Sequence, residues 1–82
     1  MTRDSFLQAH TKIRELIVNT ISNPNTSAND KNALPYILSA LDDITYGNRL
    51  SMKGMLSHMV VDTNDFNNNI GEEIILFDKR IS

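Results

Sequence analysis

The chain contains no cysteine and no tryptophan, and only three glycines and two prolines stand among its 82 residues. Without cysteine there are no disulfides, no thiolate metal sites and no thiol nucleophile, and every zinc-finger reading ends there. Three isolated glycines cannot form a phosphate-cradling loop, and no serine sits in the strand-turn-helix setting of a nucleophile elbow. Long apolar runs are missing too. The longest covers residues 74–77, against the ~20 residues of a membrane span. No basic stretch followed by an apolar one opens the sequence, so the expected location is the cytoplasm. The Asn25-Thr26-Ser27 triplet matches a glycosylation acceptor, a match that is idle without secretion.

Charge of one sign is equally scarce. Ten acidic and eight basic residues give a net charge of −2 and are scattered without runs. Indiscriminate phosphate binding needs a dense basic face, which makes nucleic acid the less favoured partner. What is present is globular composition: 40% apolar and 22% charged residues, enough apolar side chain to support folding. A chain this short has room for one domain, spanning 1–82, and buries only roughly 60 to 65% of its unfolded surface.

The apolar spacing predicts an all-α fold, a compact bundle of about four short helices at residues 4–22, 32–46, 51–61 and 65–80. In the first, Phe6, Ile13, Leu16, Ile17 and Ile21 share a face. Asp4 is the expected N-cap, and Pro24 ends the helix because it disfavours helical geometry at Asn23. In the second, Leu34, Ile37, Leu38, Leu41 and Ile44 repeat at the helical period. Pro35 is expected in its first turn, capped by Asn32, since a mid-helix proline costs roughly 3 kcal/mol. Gly47 is expected at the C-terminal end in the left-handed conformation.

The third segment is expected to start at Ser51 with a staple between Leu50 and Met55, and carries the stripe Met52, Met55, Leu56, Met59 and Val60. The fourth spaces Phe66, Ile70, Ile74, Phe77 and Ile81 as a helical seam. Asn67, Asn68, Asn69 and Gly71 are poor helix formers, so its regular part is expected to begin near Glu72. Residues 74–77 read alternatively as a buried strand, which would lack a partner.

The chemistry-bearing residues are few. His10 borders the apolar face of the first helix, the ordinary place for a half-buried structural histidine. His58, Asp62 and Asp65 could offer a nitrogen and two oxygens to a metal, but a third strong ligand is wanting and no metal or other cofactor is assigned. The pairs Asp42-Asp43 and Glu72-Glu73 point about 100° apart on a helix and cannot share a reacting centre. An enzyme is therefore the poorest of the classes considered.

The methionines Met52, Met55 and Met59 combine core spacing with the adaptability that binding surfaces use. Apolar residues off the main stripes (Leu7, Val18, Val61, Ile75 and Leu76) exceed what one small core can cover, so the surplus points to an interface with a second copy or with another protein. The favoured expectation is a small protein-binding module acting as an inhibitor, immunity factor or regulatory adaptor. Its partner surface would join Met52, Met55 and Met59 to Asp62, Asp65, Glu72 and Glu73, drawing in a basic target.

The alternative is a helix-turn-helix DNA-binding regulator over residues 52–78. Met55, Leu56, Met59, Val61, Phe66 and Ile70 would form its buried set, and Asn67, Asn68 and Asn69 would read adenine edges. Against it, Leu56 stands where that motif wants a small residue and Val60 where it wants glycine. Its recognition helix also carries Asp65, Glu72 and Glu73 and no basic residue before Lys79.

Overall fold

A computed structural model describes residues 1–63 and 70–81. Among the described residues there are four longer helices, α1 (Arg3–Ser22), α2 (Ala28–Asp43), α4 (Met55–Thr63) and α5 (Ile70–Arg80), with the single-turn α3 (Arg49–Met52) between α2 and α4. They close into a ring in which α1 packs on α2, α2 on α4, α4 on α5 and α5 on α1. Neighbours run antiparallel. His10 and Arg14 of α1 reach Leu41 and Asp42 at the far end of α2, while the start of α4 meets Asp78 near the end of α5.

The core is built from the expected seams. Phe6, Ile13 and Ile17, then Leu34, Ile37, Leu41 and Ile44, then Leu56 and Val60, then Ile70, Ile74, Phe77 and Ile81 are all buried. Leu16 departs from its stripe and is partly exposed, and residues 74–77 are helical. At one end of the core, Phe6, His10, Tyr46 and Phe77 pack ring against ring at centroid separations of 5.6 to 6.2 Å. His10 is half-buried, as its position in the sequence suggests. Its Nε2 donates to the Leu41 carbonyl at 2.8 Å, which requires the hydrogen on that nitrogen because a carbonyl only accepts.

The helix ends differ from expectation in instructive ways. The N-cap of α1 is Thr2, whose Oγ1 accepts from the Ser5 N–H at 3.1 Å. Asp4 falls in the first turn, where its charge suits the positive end of the helix. The second helix runs from Ala28 to Asp43, starting four residues and ending three residues earlier than the expected 32–46, and Pro35 lies inside it. Its cap is Ser27, whose Oγ accepts from the Asp30 N–H at 3.2 Å. Burial of Leu34 before the proline and of Ile37 and Leu41 after it outweighs the missing backbone bond. Pro35 itself is exposed, so the Lys31 carbonyl, which loses its usual donor because proline has no N–H, lies on the side nearer water.

Gly47 does not end this helix. Ile44 leaves it in an extended conformation and stays buried. The following turn is tied by side chains: the Thr45 N–H donates to Asn48 Oδ1 at 2.7 Å, and Asn48 Nδ2 donates to the Asp43 carbonyl at 2.9 Å.

The expected helix 51–61 is two elements. Ser51 lies within α3 and its hydroxyl donates back to the Asn48 carbonyl, while Leu50, at 63% exposure, makes no staple. Lys53 and Gly54 then turn the chain, with Gly54 at φ +94°, a backbone region that glycine enters without strain. The acceptor for α4's first N–H groups comes from α5. Asp78 is buried, and its carboxylate accepts from the Gly54 N–H at 3.0 Å, the Ser57 N–H at 3.3 Å and the Ser57 hydroxyl at 2.5 Å. The part of the expected fourth helix at 65–69, with Phe66, lies outside the described residues.

Candidate partner-binding surface

Among the described residues, grooves run along two opposite edges of the ring. One lies between α2 and α4, has a volume of about 370 Å³, and is lined by Asn29, Asn32, Ala33, Tyr36, Ile37, Met59 and Asp62. Its α2 residues stand at spacings of three, four and seven, one face of a helix. Ala33, Ile37 and Met59 make an apolar floor, and the Asn29 and Asn32 amides supply donors and acceptors on the α2 side. Tyr36 is 73% exposed. Asp62 is exposed and accepts from His58 Nε2 at 3.1 Å, one turn away on α4.

The other groove, about 570 Å³, lies between α1 and α5. Ala9, Ile13 and Phe77 floor it, and Lys12, Glu73 and Arg80 stand around it.

The surface expected from the sequence is divided between these edges. Met52, Met55 and Met59 are half-buried and pack against the core, so the core share of their role dominates, and Met59 alone of the three lines a described groove. Asp62 joins Met59 in the α2–α4 groove, whereas Glu73 lines the α1–α5 groove. Glu72 and Glu73 are exposed in the first turn of α5, at the same end of the bundle as Asp62. Asp65, Asn67, Asn68 and Asn69 lie outside the described residues. Among the described residues no group of three potential ligands is placed to hold a metal.

Of the apolar residues off the main stripes, Leu7, Val61 and Leu76 are more than half exposed, while Val18 and Ile75 are half-buried. Val61, at 64% exposure, stands where the helix-turn-helix reading needs a buried residue. Sequence reasoning missed Asn29, Asn32 and Tyr36. The signal was present in their spacing, but starting the helix at Asn32 concealed it by leaving Asn29 in a loop.

No helix among the described residues is long and apolar enough to cross a membrane. Set beside known protein families, curated proteins and solved structures, the chain matches no family model, no curated protein and no solved structure.

Proposed function

We propose that this protein is a small, non-enzymatic binding module that docks onto another protein through the α2–α4 groove, with inhibition or regulation of that partner as the consequence. The observation that carries this reading is Tyr36, 73% exposed beside an apolar groove. A large amphipathic side chain held on a helix adds contact area at little conformational cost, which is why tyrosine is enriched among the residues that dominate binding energy. The Asn29 and Asn32 amides can pair with the partner's backbone and give the contact direction. Asp62, Glu72 and Glu73 make this end of the bundle acidic, suiting a partner with a basic surface and speeding its approach at low salt.

The non-enzymatic part of the reading is supported by the residue inventory. There is no thiol, and the Nε2 of His10 is committed to a backbone carbonyl. His58 stands exposed on α4 with Asp62 as its partner.

The test is affinity capture from cells of the source organism with the wild-type protein and with Tyr36→Ala, followed by titration of the partner recovered. One protein bound at defined stoichiometry, and bound about 30-fold more weakly by Tyr36→Ala, supports the proposal. The exposed position of Tyr36 leaves the thermal unfolding of that variant as the wild type's. Equal binding by both proteins removes the groove from the reading. DNA captured in a salt-sensitive way puts the helix-turn-helix alternative ahead of it.

A further inference from the structure

On α5, Leu76 is 52% exposed although it sits between the buried Ile74 and Phe77. Glu73 stands one turn before it and Arg80 one turn after it, on the same edge of the helix, and all three line the α1–α5 groove. Glu72 and Lys79 occupy the adjoining row in the same relation. The outer face of α5 therefore reads acid, apolar, base along its length, and Leu76 is the centre of that pattern. A surface of this kind complements itself when turned end for end.

We infer that the outer face of α5 and the α1–α5 groove form the contact surface of a two-fold dimer of this chain, with the two α5 helices antiparallel and crossing at Leu76. A two-fold axis through Leu76 sets Glu73 of one protomer against Arg80 of its partner, and the same pair recurs on the other side of the axis. The exposed leucine then lies over the partner's groove, floored by Ala9, Ile13 and Phe77, and loses the water that it meets in the monomer. In the ring order this edge lies opposite the α2–α4 groove. The dimer consequently leaves both Tyr36 faces open and presents them outward as a bivalent pair.

Acids in the first turn and bases in the last turn of a helix also suit its own macrodipole, and a charge swap separates the two explanations. In sedimentation equilibrium from about 10 µM to about 1 mM, the wild type rises to twice the chain mass of 9.3 kDa. Leu76→Glu stays monomeric with an unchanged circular dichroism spectrum. Glu73→Arg and Arg80→Glu each weaken the dimer about tenfold, since each change turns two symmetry-related attractions into repulsions. The double variant Glu73→Arg/Arg80→Glu recovers association to within about threefold of the wild type, although its helix charges now oppose the macrodipole. A monomeric wild type up to about 1 mM, a Leu76→Glu protein that still dimerises, or a double variant no better than the single ones overturns the inference.

Discussion

The two halves of the ring are held in different ways. α1 and α2, of 20 and 16 residues, each carry their own N-cap, Thr2 and Ser27, and each cap accepts from the backbone three residues on. α4 and α5, of 9 and 11 residues, are too short to be stable alone, and α4 borrows the acceptor for its first turn from Asp78 of α5. The first half is punctuated by its own sequence. The second is assembled by contact across the chain, so its two helices stand or fall together.

Substitution at Asp78 tests this contrast most severely. Asp78→Ala leaves three half-buried donors without their acceptor and is expected to cost about 3 kcal/mol, a large share of the 5 to 15 kcal/mol that a small domain has. Amide hydrogen exchange should show α4 and the end of α5 losing protection before α1 does. Uniform loss over all four helices would dissolve the distinction between the halves.

Pro35→Ala should act in the opposite direction. It restores a backbone bond in the middle of α2 and relieves the clash at the Lys31 carbonyl, and is expected to raise stability in urea unfolding by about 2 kcal/mol once the greater freedom of the unfolded chain is subtracted. A loss of stability would show that the proline sets the path of α2. The smallest effect belongs to Ser27→Ala, which removes one local cap and should cost about 1 kcal/mol. If Ser27→Ala matched Asp78→Ala in the same unfolding experiment, local and borrowed caps would be equivalent here and the comparison would lose its point.

Much of the fold was legible because periodicity is a local property. Phe6, Ile13, Ile17, Leu34, Ile37, Leu41, Ile44, Leu56, Val60, Ile70, Ile74, Phe77 and Ile81 were assigned to the core from spacing and are buried, whereas Leu16 of the first seam is exposed and Leu38 of the second is half-buried. The helix ends were less legible because several candidate caps compete within a few residues. Thr2 competes with Asp4, and Ser27 with Asn32, and the winner depends on how much side chain the longer helix buries. The penalty for Pro35 was sound as a local rule and was outweighed by burial on both sides of it. The candidate site was read only in part. Met59 and Asp62, one turn apart on α4, share a groove, but the Tyr36 and Asn32 that line it with them come from another helix.

By itself, then, the sequence determined the class of fold, most of the core and the exclusion of thiol and zinc-finger chemistry, because composition and helical period require no knowledge of what lies across the molecule. Only the tertiary structure decided that Asp78 would cap α4, that Tyr36 would stand beside a groove, and that Glu73 would lie on the edge opposite Asp62. Each of these depends on which helices become neighbours in the ring, and that arrangement is set by packing side chains that are distant along the chain.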